Sequence, residues 1–222
     1  MSKAILLNTG WTFTKEGHDE PVTLPHTWNA VDGQDGGNDY WRGTCIYRTR
    51  FAAPQFNTAS HQVWIQFDGV NASAHVVLNG SPVCNHDGGY STFRVDITDA
   101  LHDGANELIV SVDNSDNDTV YPQKADFTFY GGIYRDVWMI GKSSVAITDA
   151  LEADKVAGGG VFVHFDNISG KKAEVYVDTE VHNSGKRTRT VAVETVLVDA
   201  GDVPVKRVSQ QVKLQAGESK TV

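Results

Sequence analysis

The groups in this chain best suited to acid–base or polar-ligand chemistry are its carboxylates. Glutamates stand at positions 16, 20, 107, 152, 174, 180, 194 and 218. One of them, Glu107, follows Asn106 in "GANELIVSV", and an Asn-Glu pair can set an acid beside a sugar hydroxyl. The same stretch also reads as a strand whose Leu108, Val110 and Val112 share a core face, and the structural reading of Glu107 is preferred. Asp126 opens "DFTFYGGIYRDVWMI" (126–140), where a carboxylate precedes aromatics, a Gly-Gly pair, an Arg-Asp pair and an apolar strand. The residues alone make it a loop carboxylate ahead of a glycine-mediated turn. "DNSDND" (113–118) gathers oxygen ligands that attract a cation but lacks the glycine and distal Glu of a calcium loop, so a solvated loop is preferred.

Other chemistries find less support. The eight histidines are scattered without metal-ligand spacing. The chain contains no Gly-x-Ser-x-Gly, no Cys-His motif and no glycine-rich loop leading into a helix. Cys45 and Cys84 have no Cys-x-x-Cys partner and read as small buried hydrophobes rather than a disulfide or zinc site. The triplets "NAS", "NDT" and "NIS" match a glycosylation pattern too short to be specific. Trp11, Trp28, Trp41, Trp64 and Trp138 can stack on sugar rings or fill a core. Core burial is preferred for each, least so for Trp41 in "DGQDGGNDYWRG".

These residues must be positioned by strands. The 222-residue chain is 40% hydrophobic and 21% charged, the balance of a folded chain with a real core. Its formal net charge of −9 argues against a nucleic-acid backbone or anionic membrane as partner. No run approaches the roughly 20 apolar residues of a membrane helix. The opening "MSKAILLNTGWTF" lacks the pattern of a signal peptide, which leaves the compartment open between cytoplasm and periplasm.

Apolar residues alternate with polar ones at Val63/Ile65/Phe67, Ala74/Val76/Leu78, Phe93/Val95/Ile97 and Leu108/Val110/Val112. Asn79-Gly80 between two such runs is a strong hairpin signal. Asp99–Asp103 has room for one short helical turn. From about residue 142 the composition turns to Val, Thr and charge. Strands are predicted at Val145–Ile147, Val161–Phe165, Ala173–His182, Thr190–Val198 and Val208–Leu214. The expectation is an all-β chain: a β-sandwich or jelly roll over 1–141, then an immunoglobulin-like β-sandwich over 142–222, cut near its last strand at "LQAGESKTV".

The ordered pieces "LLNTGWTF" (6–13), "LPHTWNAVD" (24–32), "DYWRGTCIYRTRF" (39–51), "FDGVNASAHVVLNGSPV" (67–83), "HDGGYSTFRVDITDAL" (86–101), "GANELIVSVDN" (104–114) and "DFTFYGGIYRDVWMI" resemble the N-terminal part of glycoside hydrolase family 2. That family comprises β-galactosidases, β-glucuronidases and β-mannosidases. The resemblance implies that catalysis belongs to two glutamates in a following (β/α)₈ barrel, roughly 200 residues or more, of which this chain has none. It therefore implies an inactive fragment with no catalytic residue of its own. The full enzyme would hydrolyse terminal β-galactosides with retention, with β-glucuronides or β-mannosides as alternatives, through carboxyls about 5–5.5 Å apart.

The resemblance also implies substrate-binding residues. Asp126, six residues before the glycine of "GIYRDV", matches the aspartate that the family's jelly roll sends to the glycone hydroxyls. Asp39 and Tyr40 lie in a second loop that approaches the site. Arg42, Arg135 and Asp136 read as structural. No cofactor is assigned, with a monovalent or divalent cation left open for the full enzyme, as is a homo-oligomer. Two other functional classes stand beside this one: a stand-alone carbohydrate-binding module and a scaffold for packing.

Overall fold

The structure is a computed structural model that describes residues 3–32, 40–53, 61–120, 128–153, 155–156 and 158–222. The chain divides into two compact units, Met1–Gly141 and Lys142–Val222. Both are built from strands. Among the described residues a single turn of 3₁₀ helix, Thr98–Ala100, and a four-residue helix, α1 (Ala150–Ala153), are the helical exceptions. Among the described residues no helix is long and apolar enough to cross a membrane.

The first unit is a two-layer sandwich. One layer has six strands in the order β3 (His18–Val22), β2 (Trp11–Lys15), β4 (Thr44–Ala52), β9 (Ala105–Asp113), β6 (Ser73–Leu78) and β7 (Ser81–Asp87). The other has four, in the order β1 (Lys3–Leu6), β10 (Val137–Ser143), β5 (His61–Phe67) and β8 (Phe93–Asp96). The predicted apolar alternation is the wall of the core. Val63, Ile65 and Phe67 from the four-stranded layer join Val76, Leu78, Leu108, Val110 and Val112 from the six-stranded one, all of them fully buried. Trp11, Phe13, Tyr47 and Trp28 close one end of this core as an aromatic group. Both outer strands of the six-stranded layer carry a proline, Pro21 in β3 and Pro82 in β7.

Local chemistry sets the turns. Asn79 and Gly80 both adopt positive φ, 51° and 80°, and join β6 to β7 as their sequence predicts. Gly10, at φ 77°, turns the chain between β1 and β2, which belong to different layers. Asn106 is buried and answers the carbonyls of His102 and Gly104 while accepting from the His102 N–H. Glu107 pairs with Arg50 on the neighbouring strand. The Asn-Glu dipeptide therefore holds a turn and a strand pair.

The second unit has β13 (Glu174–Asn183) at its centre. It pairs with β12 (Val161–Asp166) along one half, and with β11 (Val145–Ile147) and β16 (Ser219–Thr221) along the other. β14 (Arg189–Val198) and β15 (Pro204–Leu214) form a separate antiparallel ribbon. Its buried apolar cluster is Val181, Val212 and Leu214, with Val145, Val191, Val193 and Val222 against it. The fully buried Asn183 ties β13 to the end of β15 through the carbonyls of Leu214 and Gln215.

Candidate functional site

Asp126 and Asp39 lie outside the described residues; Tyr40 and Thr128 onward lie within them. The chain from Phe129 to Val137 is threaded through the first unit by main-chain bonds on both sides. Gly132 exchanges two bonds with Asn71, of 3.0 and 3.1 Å. The Ile133 carbonyl accepts from His26 N–H, and the Asp136 carbonyl accepts from Asp68 N–H. The two glycines are required for different reasons. A Cβ on Gly131 would run into the Trp28 ring, and Gly132 holds φ 133°, with the His26 carbonyl where its Cβ would sit.

Side chains complete the fixation. Thr27 Oγ1 donates to the Gly131 carbonyl at 2.7 Å, and Asn29 Oδ1 accepts the Gly131 N–H at 2.8 Å. Asn71 Nδ2 donates to the Tyr130 carbonyl at 2.6 Å. Arg135 reaches the carbonyls of Asp68 and Tyr90, and Asp136 accepts from Asn8 Nδ2 at 2.7 Å. Both residues of the Arg-Asp pair thus fix the segment through separate partners, as the sequence suggests. Arg42 bonds to Asp116 and lies over the ring of Tyr40, 4.6 Å from its centroid, so it too holds the local chain.

A cleft of about 550 Å³ opens beside the anchored arm, lined by Thr27, Asn71, Tyr90, Thr128, Tyr130 and Tyr134. Tyr90 and Tyr130 are partly exposed there, and Tyr134 Oη donates to the Gly89 carbonyl. Sequence reasoning overlooked these tyrosines, because "GGY" and "FYGGIY" read as turn and strand entry. Tyrosine next to glycine at both places was the available signal.

A smaller hollow of about 280 Å³ is lined by Ser73, Asp87, Asp113, Ser115, Asp116 and Asn117. Burial tends to raise the Asp113 carboxyl, but hydrogen bonds from Ser115 and Thr44 outweigh it and hold the group below its ordinary value. Asp113 and Asp116 have internal partners, and among the described residues no three His, Cys, Asp or Glu side chains assemble as a metal site.

Beneath the arm the aromatic end of the core is desolvated. Burial pushes the Tyr47 hydroxyl up and His26 down, and His26 Nδ1 lies 2.7 Å from Tyr47 Oη. Trp11, Trp28 and Trp64 are buried, while Trp41 and Trp138 are half-buried and Trp138 Nε1 donates to Asp68. None of the five is exposed. Cys45 is buried, with its thiol pushed up to about 12, and Cys84 is half-buried. They sit on β4 and β7, with β9 and β6 between, roughly 14 Å apart at ordinary strand spacing, so no disulfide joins them.

Residues 3–143 match the family described as "Glycosyl hydrolases family 2, sugar binding domain". The chain belongs to glycoside hydrolase family 2. It is 34% identical over 221 residues to a β-glucuronidase of Bacteroides fragilis, a match covering 96% of this chain and 30% of that protein. A solved Bacteroides fragilis structure, provisionally named a β-galactosidase, superimposes with a TM-score of 0.88 at 31% identity, covering 100% of this chain and 34% of that one. A Bacteroides uniformis β-glucuronidase superimposes with a TM-score of 0.86 at 27% identity, over 100% of this chain and 27% of that one. The chain thus spans about a third of the length of these family 2 relatives. The arm and its tyrosine-lined cleft lie within the sugar-binding domain.

Proposed function

We propose that this chain is the non-catalytic, sugar-facing part of a retaining, exo-acting family 2 glycoside hydrolase. Its arm from Thr128 to Gly132 presents Asp126 to the glycone, with Asp39 and Tyr40 contributing from the neighbouring loop. The nucleophile and the acid/base belong to a barrel that this chain does not contain. One observation carries the reading: the arm that follows Asp126 is fixed at Phe129, Tyr130, Gly131 and Gly132 by partners from three other segments, within the family's sugar-binding domain. An ionised carboxylate can accept two sugar hydroxyls, each bond contributing about 1.5–3 kcal/mol. The second unit, read as an immunoglobulin-like domain, would serve as a spacer to the barrel.

A terminal β-glucuronide is the first substrate to test, supported by the relatives of that name. A β-galactoside is the second reading, favoured by the structure with the 0.88 TM-score. A stand-alone binding module is less well supported, since no tryptophan is exposed to stack on a sugar.

The deciding experiment assays the intact enzyme on nitrophenyl glycosides and repeats it with Asp126→Ala. The expected loss in kcat/KM is at least tenfold, and a decade corresponds to about 1.4 kcal/mol. The 222-residue chain alone should hydrolyse none of the substrates. Turnover by that chain, or an Asp126→Ala enzyme with unchanged kcat/KM, overturns the proposal.

A further inference from the structure

We infer that Asn29 and Asn114 are positioning residues that lock the two sugar-facing stretches, around Tyr40 and around Phe129–Gly131, into one mechanical unit. The inference rests on the proposed function for the purpose of the lock, but the lock itself follows from bonding. Both asparagines are fully buried. Asn29 Oδ1 accepts from Gly131 N–H at 2.8 Å and from Asn114 Nδ2 at 3.2 Å. Its amide donates to the Trp41 carbonyl at 2.8 Å and to Asp32 Oδ2 at 2.9 Å. Asn114 Oδ1 accepts from Gly43 N–H at 3.0 Å, and its amide also points to the carbonyls of Trp41 and Phe129, at 3.5 and 3.4 Å. Each side chain therefore bonds both stretches, and the two bond each other.

The residue type matters as much as the place. A primary amide offers two donors and an acceptor on a short stem, and these junctions use both functions. An aspartate at either position would keep the acceptor but turn an oxygen toward carbonyl oxygens in a buried network, where an unanswered polar group is costly. The lock reaches Trp41 beside Tyr40 and Phe129 three residues after Asp126, so a shift in one stretch must be felt in the other. Neither asparagine lines the cleft. Both act through the segments they hold.

Hydrogen exchange by mass spectrometry on the 222-residue chain tests this. Asn114→Ala should speed exchange in peptides covering 40–43 and 128–132 together, by roughly tenfold, equivalent to about 1.4 kcal/mol of lost local protection. Asn106→Ala, which removes another buried asparagine at a distant turn, should leave both peptides unchanged. Asn29→Asp keeps the acceptor for Gly131 but loses the donors, and should loosen 40–43 more than 128–132. It also serves should Asn114→Ala not fold. Loosening of only one stretch by Asn114→Ala, equal loosening by Asn106→Ala, or no asymmetry in Asn29→Asp overturns the lock. In the intact enzyme Asn114→Ala should lower kcat/KM tenfold or more while global melting shifts no more than for Asn106→Ala. If both stretches loosen yet Asn114→Ala and Asp126→Ala both leave kcat/KM intact, the lock stands and the sugar-facing reading fails.

Discussion

The two units are made of the same kind of strand yet solve burial differently. In the first, both layers contribute to one cluster of 22 buried residues among those described, from Trp11 to Met139. In the second, the described buried cluster is Val181, Val212 and Leu214. The far half of the β14–β15 ribbon leaves Val196, Leu197, Val198, Val203, Val205 and Val208 exposed, and β12 leaves Val161, Val163 and Phe165 exposed. Alternation is thus a statement about what a strand can bury, and a second layer decides whether it does. In the first unit that layer covers the central strands. Among the described residues of the second, burial centres on Val181, Val212 and Leu214.

The contrast can be attacked directly, because all five tryptophans, at 11, 28, 41, 64 and 138, belong to the first unit. Their emission reports that unit alone, while circular dichroism reports both. Phe67→Ala should cost the first unit about 3–5 kcal/mol, read as a shift of the denaturant midpoint by tryptophan emission. Leu214→Ala should cost about 2–5 kcal/mol, enough to exhaust the smaller core. It should remove part of the dichroism while leaving tryptophan emission native; a change in both signals would mean that the units unfold as one. In the unsubstituted chain the dichroic transition should begin at lower denaturant than the emission transition, and coincident curves would erase the contrast.

Just below neutral pH the effect should come from the first unit, where burial lowers both His26 and His86. His26 titrates below its ordinary 6.5 because burial disfavours its charged form, partly offset by Glu20. Above 6.5 neither folded nor unfolded chain carries that proton, and the stability is at its full value. As pH falls from 6.5 toward the lower folded value, only the unfolded chain gains the proton, and stability is lost. His26→Asn should shrink this limb in emission-monitored unfolding, leaving the part that His86 contributes. The smallest effects belong to the exposed ribbon: Val198→Thr, Val205→Thr and Val208→Thr should each lie within about 0.5 kcal/mol. A larger cost would show that this face is covered in solution.

Much of the strand framework was legible because period-two alternation and Gly/Asn turns act locally. The strands predicted at Val145–Ile147 and Val161–Phe165 agree with β11 and β12 to within a residue. Gly10 was missed as a break between layers, since a glycine inside "LLNTGWTF" does not announce which sheet follows. The site was less legible. Tyr90, Asn29 and Asn114 lie far apart in sequence, and their roles arise only when the arm threads between the 24–29 and 68–72 segments. An asparagine in "HTWN" or "VDNS" has no period to betray it. Asp126 and Asp39 rested on family resemblance, and both lie outside the described residues.

The prolines at the two margins of the six-stranded layer bear on how copies of the chain meet. A strand approaching β3 encounters His18, Asp19, Glu20 and Pro21; one approaching β7 encounters Pro82 and, at its end, Asp87. Proline supplies no N–H, and side-chain charge resists being covered, so neither margin is a good template for a seventh strand. Growth of this sheet from molecule to molecule is closed off at both ends. Self-association through this sheet would have to use its side-chain faces rather than a shared ladder.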